Sequence, residues 1–356
     1  MMSDDIVPRA GPSQDPLFAA NHFTLLRWIL ATGVVIGHAW LIPTGYEPTR
    51  LHDWTLSYLS VNGFFILSGL LIAKSLFTRQ DIGSYARSRL LRIYPALILL
   101  MAALLFVFGP LFGSPGNAGY FKQFEPWAYV TRVLLMGDPL TAPGDVFHAE
   151  PDAVFNGALW TIRYEVLAYV LAGIGFWLGV LRHRWVVVGT LAGVQLMYLV
   201  AQSSAVAALF SPGMISLFRF MTCFLLGMTI WHFPVLRRLG LAALVSTLAA
   251  FLLLGWSPFG EMLANLLLAA SLMYFGLVAS PIPRIARMPD YSYGIYIWHY
   301  PVLQSILIMI PGISPMALLA TSLPLILGCA AASWHALEKP ALKLKRWRRI
   351  SGRLSG

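Results

Sequence analysis

Asn21-His22-Phe23-Thr24-Leu25-Leu26-Arg27-Trp28-Ile29-Leu30-Ala31-Thr32-Gly33-Val34-Val35-Ile36-Gly37-His38 reads as an apolar helix with an arginine at its mouth and a histidine in its middle. Arg27 and His38 are eleven residues apart. At about 100° per residue this is close to three full turns, so both project from nearly one face, roughly 16 Å apart along the axis. An ionisable group inside a membrane span is costly, which makes His38 a functional residue by default. The competing reading is a histidine that hydrogen-bonds a neighbouring helix.

The rest of the chain agrees that the stretch lies in a membrane. Of 356 residues, 58% are hydrophobic and 11% charged, against about 25% charged in a soluble domain. Apolar runs of this length are helical, because a helix satisfies its own backbone in lipid. The sequence therefore predicts an all-α, polytopic transmembrane helix bundle of about ten spans. They fall roughly at 25–45, 57–76, 95–113, 158–181, 185–203, 214–233, 240–256, 261–279, 292–310 and 315–336. Cys223 and Cys329 sit in apolar segments and do not read as a disulfide framework. No cleavable signal peptide is evident, since the first apolar run follows a polar, proline-containing lead and carries a histidine.

Lysine and arginine set the orientation. With the N-terminus in the cytoplasm, 20 of the 25 basic residues fall on inner segments, leaving outside only Arg50, Lys122, Arg132, Arg163 and Arg219. Both termini are then cytoplasmic. The net charge of +10 is thus a topology signal and not a nucleic-acid footprint. Residues 1–20 read as a cytoplasmic lead, 21–340 as the membrane domain and 341–356 as a basic tail suited to anionic headgroups. The longest loop, about 114–157, lies outside and carries Glu125, Asp138, Asp145, Glu150 and Asp152. It reads equally as a cover over an acceptor or as a solvated connector.

Three further clusters carry chemistry. Ser84–Pro95, read as an inner loop, holds Arg89 and Arg92, which share a face if helical. Paired arginines at a helix mouth suit a phosphate clamp, although ordinary positive-inside charge explains them as well. Pro95 suits the first turn of the next span. Asn156–Glu165 leads into span four from outside and puts Glu165 about two turns into the membrane, with His38, Arg163 and Arg219 as available partners. Tyr291–Pro301 opens span nine with an aromatic belt, and His299 reads first as structural. Ser68 in span two reads as a packing residue. No clustered spacing of metal ligands is present, so no metal is expected.

Together these clusters resemble the membrane acyltransferase 3 family over residues 21–340. The matching positions are Arg27 and His38 with ten residues between them, Phe64–Gly69, Arg89-Leu90-Leu91-Arg92-Ile93-Tyr94-Pro95, Leu159-Trp160-Thr161 with Glu165, Ser292–His299, and Ser333 with Glu338 and Pro340. Val166 stands where the family often has a second acid, and Asp53 is only a loose match to the acid that often follows the first span. The resemblance implies transfer of an acyl group, commonly acetyl, from cytoplasmic acyl-CoA to a hydroxyl of an extracytoplasmic glycan or small molecule. It implies an enzyme of the inner (plasma) membrane, with acyl-CoA as co-substrate and the bilayer and the acceptor as partners. Arg89, Arg92 and Tyr94 would bind the donor. His38 would act as general base, Glu165 would orient it, and Arg27 would stand at the mouth. No residue announces itself as the nucleophile of a covalent intermediate. A secondary transporter or flippase of a lipid-linked sugar or small anion fits the composition equally well, and an inactive scaffold remains open.

Overall fold

A computed structural model of the chain describes residues 18, 21–48, 50–52, 54–113, 119–139, 142–147, 154–203, 206–278 and 282–344. Asp53, Glu150, Asp152, most of the lead and the tail from 345 onward lie outside the described residues. In chain order the main helices are α1 Phe23–Thr44, α2 Leu56–Arg79, α3 Ile82–Phe112, α4 Glu125–Leu134, α5 Leu159–Trp177, α6 Arg184–Gln202, α7 Pro212–His232, α8 Leu241–Leu254, α9 Gly260–Leu277, α10 Ser292–Met309 and α11 Pro315–Leu344. A two-residue antiparallel hairpin pairs Arg50–Leu51 with Trp54–Thr55 ahead of α2.

Among the described residues, eight of these helices are long and apolar enough to cross a membrane: all but α4, α8 and α10. A helix stands at each of the ten expected spans, but two fall short. α8 has 14 residues, about 21 Å of rise against a hydrocarbon core of about 30 Å. α10 has 18 residues, and its Tyr, His and Gln side chains are too polar for lipid. It is nevertheless buried along most of its length, so the bundle, not the bilayer, surrounds it.

α2 is the central post. Its close crossing with α7 depends on glycine at two reciprocal points: Gly69 lies against the Phe224 carbonyl, and Gly227 against that of Ile66. Absence of Cβ lets the backbones meet, the usual device where lipid supplies no hydrophobic drive. Arg27 pairs with Asp290, as does Arg92, while Lys74 and Arg237 both lie over the Phe18 ring. These residues mark one basic end of the bundle. Toward the other end, buried Arg219 donates to Asn62 Oδ1 (2.7 Å) and the Tyr58 carbonyl (2.9 Å) and faces Glu261 at 3.6 Å.

Two readings of the sequence are corrected here. The segment 84–95 is not a loop before a span. α3 begins at Ile82, capped by Asp81 on the Gly83 N–H at 2.9 Å. Pro95 therefore sits inside the helix and not in its first turn, as membrane helices tolerate when neighbours satisfy the freed backbone groups. The described part of the segment 114–157 packs against the bundle. Its helix α4 packs along α3, where Tyr94 donates to the Leu134 carbonyl at 3.2 Å, and Tyr120, ahead of α4, lies against Gly109. The chain then enters α5 at mid-bundle, where Asn156 donates to the Ile297 carbonyl at 2.9 Å and Gly157 packs on Tyr300. The second half of α5 reaches the first turn of α3, where Tyr85 donates to the Tyr169 carbonyl at 2.9 Å and lies against Gly173. Glu165 thus lies toward the basic end, farther from the opposite surface than its sequence position implied.

Candidate active site

A cavity of about 310 Å3 opens among α1, α2, α3, α5, α10 and α11 at the basic end. Arg27, Arg89, Arg92, Glu165, Tyr169 and Asp290 give it its charge, while Phe64, Phe65, Leu67 and Leu71 of α2 make its apolar wall. Asp290 is the organising acid. Its Oδ2 accepts from Arg27 at 3.0 Å and from Arg92 at 2.8 Å, and its Oδ1 accepts from Ser292 at 2.6 Å. Burial alone would raise its pKa, but Arg92 and Arg27 outweigh this and hold the carboxyl well below the usual carboxylate range. Arg92 also faces Glu338 at 3.8 Å, and Ser333 donates to Glu338 at 3.0 Å.

Arg89 differs from its neighbours. It has no carboxylate within ion-pair distance among the described residues; its Nε reaches Ser88 Oγ at 3.3 Å and its guanidinium lies 5.6 Å from the Tyr169 ring centre. It is the guanidinium of the cavity most available to an anion. The Arg27 Nε is buried with no hydrogen-bond partner.

Tyr296 and Thr161 form the wall of the cavity toward mid-bundle, their hydroxyls 2.6 Å apart. The Tyr296 ring lies 6.1 Å from that of His299. There His38 Nδ1 and His299 Nε2 are 2.8 Å apart, and His299 Nδ1 is 2.7 Å from the Tyr296 carbonyl oxygen. His299 is fully buried, whereas His38 is half-buried.

Arg27 and His38 thus meet one neighbouring segment, 290–299, eleven residues apart on α1 and nine apart on the partner. The expected pairing of His38 with Glu165 is absent from the described hydrogen bonds. His38 bonds His299, and Glu165 accepts a short bond from Tyr169 inside the charged cavity, in the field of Arg92 and Arg89. The other partners considered for Glu165 are engaged elsewhere, Arg163 with Asp138 at 3.7 Å and Arg219 with Glu261. Tyr94 does not line the cavity; its hydroxyl is turned to α4. Ser68 does line it. Asp290 was missed from the sequence, though a lone acid in a basic inner segment, directly before an apolar run, was a readable signal.

No solved structure matches the chain. Nodulation protein 10 of Rhizobium leguminosarum bv. viciae is 30% identical over 361 aligned residues, covering 91% of this chain and 94% of that protein. An O-acetyl transferase of Shigella phage Sf6 is 25% identical over 332 residues, covering 90% and 95%. The family described as "Acyltransferase domain", acyltransferase 3, matches residues 21–334. That match removes the basis of the transporter and scaffold readings: the chain belongs to the acyltransferase 3 family and is a multi-pass membrane acyltransferase.

Proposed function

We propose that this enzyme is an O-acyltransferase of the inner (plasma) membrane. It takes an acyl group, acetyl in the simplest case, from cytoplasmic acyl-CoA and places it on a hydroxyl of an extracytoplasmic glycan or small molecule. The observation that carries this reading is the basic cavity itself. Three arginines stand at its mouth, it has an apolar wall along α2, and it ends one helical turn from a histidine pair. Guanidinium groups bind phosphate oxygens in planar, charge-assisted geometry, so Arg89, backed by the Arg27–Asp290–Arg92 cluster, suits the donor's phosphates. The similarity to a phage O-acetyl transferase supports oxygen as the accepting atom.

In this reading His38 is the general base, since a neutral imidazole can accept a proton from a hydroxyl. It takes the proton of the acceptor hydroxyl as that oxygen attacks the thioester carbonyl carbon. The C–O bond forms, the C–S bond breaks, and the departing thiolate receives the proton from His38. The products are the ester and the free thiol, and no net charge accumulates. Glu165, with Tyr169, tunes the charged cavity.

The test is ester-linked acyl content of surface glycans in intact, deleted and His38→Ala strains at equal membrane levels. It is paired with acceptor-dependent release of CoA from labelled acetyl-CoA by the purified enzyme. The expected result is loss of one ester in the deletion strain and no restoration by His38→Ala. Full ester content with His38→Ala would overturn the general-base assignment.

A further inference from the structure

We infer that His299 is a positioning residue. It fixes the proton of His38 on Nδ1 and leaves Nε2 of His38 bare as the atom that takes the acceptor's proton. The inference rests on the acyl-transfer reading above and assigns a role to a residue that the sequence presented as structural.

The argument is one of donors and acceptors. A carbonyl oxygen only accepts. His299 Nδ1 lies 2.7 Å from the Tyr296 carbonyl oxygen, so that nitrogen carries a proton. Among the described residues no carboxylate pairs with either imidazole, and His299 is 0% exposed. A buried, unpaired imidazolium is costly, so His299 is neutral and its Nε2 is a bare acceptor. His38 Nδ1 lies 2.8 Å from that nitrogen. The contact is a hydrogen bond only if His38 Nδ1 donates. A neutral His38 with its proton on Nδ1 has its lone pair on Nε2. The Tyr300 ring meets His38 edge-on at 5.5 Å and helps hold the ring plane.

The Tyr296 carbonyl thus sets the state of two rings in sequence, an orienting group behind a base. The carboxylate expected from the sequence in the orienting place, Glu165, is bonded to Tyr169 instead. When His38 takes a proton on Nε2, its Nδ1–H becomes a charged donor to the same acceptor. That bond strengthens as the proton moves, without a second proton transfer. The base returns the proton from Nε2 to the departing thiolate, so His299 stays neutral throughout.

Two substitutions separate this role from packing. His299→Asn keeps a donor for the Tyr296 carbonyl but is too short to reach His38. His299→Gln extends an amide oxygen to the place of Nε2. For purified enzyme in nanodiscs with acetyl-CoA, His299→Asn is expected to lower kcat by at least about 100-fold, with the donor KM within about threefold of native. His299→Gln is expected to recover at least about tenfold of that loss. In a His38→Ala background, His299→Asn should change nothing further, because the two residues act as one unit. Native kcat in His299→Asn beside an inactive His38→Ala would overturn the inference alone. So would equal losses in the Asn and Gln variants at equal membrane levels. Native turnover in His38→Ala would instead overturn the general-base reading, and this inference with it.

Discussion

Asp290→Asn tests the electrostatic design of the basic end. One oxygen, Oδ2, holds Arg27 at 3.0 Å and Arg92 at 2.8 Å, so the two guanidinium nitrogens are no more than about 5.8 Å apart. Without the carboxylate, two unit charges at that separation repel by about 3 kcal/mol at an effective dielectric of ~20. The arginine side chains are 22% and 20% exposed, so solvent screens part of this, leaving a net loss of ~1–2 kcal/mol. In detergent this corresponds to a fall in Tm of roughly 1–3 °C for a chain of 356 residues. The pH dependence gives an independent check. Burial works to raise the Asp290 pKa, and the two arginines overcome it and depress it. A depressed native pKa means that the stabilisation is complete above the unfolded aspartate value of about 3.9 and is lost as pH falls from there toward the native value. The Tm gap between native and Asp290→Asn protein should therefore be constant from about pH 8 to about pH 5 and narrow below about pH 4. Thermal scans in dodecyl maltoside across that range measure both effects. Equal Tm values at pH 7, or a gap that survives unchanged at about pH 2.5, would refute the reasoning.

Arg89→Ala removes the guanidinium that has no carboxylate within ion-pair distance among the described residues. It should raise the KM for acyl-CoA roughly 10- to 100-fold with kcat within about threefold; titration of the donor at saturating acceptor measures it, and an unchanged KM rules out the donor role. Tyr94→Phe should leave the donor KM within about twofold and cost only ~1 kcal/mol of stability, because the hydroxyl bonds the Leu134 carbonyl and lies off the cavity. A large rise in KM would restore Tyr94 to the donor site. Gly69→Ala drives a methyl group into the Phe224 carbonyl, and backbone cannot move aside as a side chain can. The expected cost is about 3 kcal/mol or more, read as lost membrane yield and lowered Tm, and native yield would contradict the close crossing of α2 and α7.

Local pattern made much of this protein legible. The apolar runs announced the helices, because in lipid each segment must satisfy its own backbone, which is a property of the segment alone. The Arg27–His38 register was readable for the same reason, since a helix converts sequence spacing into a shared face without reference to anything else. The six ordered motifs, each weak alone, pointed to the family that the match over residues 21–334 supports.

Partner choice was not legible, and Glu165 shows why. Counting turns from the opposite surface put it near His38, but the chain dips to mid-bundle before α5 begins, held by the Asn156 bond to the Ile297 carbonyl and by Gly157 against Tyr300. That dip carries Glu165 to the arginines and leaves His299 as the partner of His38. Asp290 and Arg92 meet across 198 residues of sequence, and His38 and His299 across 261. The sequence alone therefore determined that the chain is a helical membrane bundle with a basic mouth and an intramembrane histidine. Only the tertiary structure decided which acid neutralises the mouth and which ring sets the histidine's proton. Hydrogen bonds and ion pairs act over a few ångströms between side chains of different helices, and those distances exist only once the helices have packed.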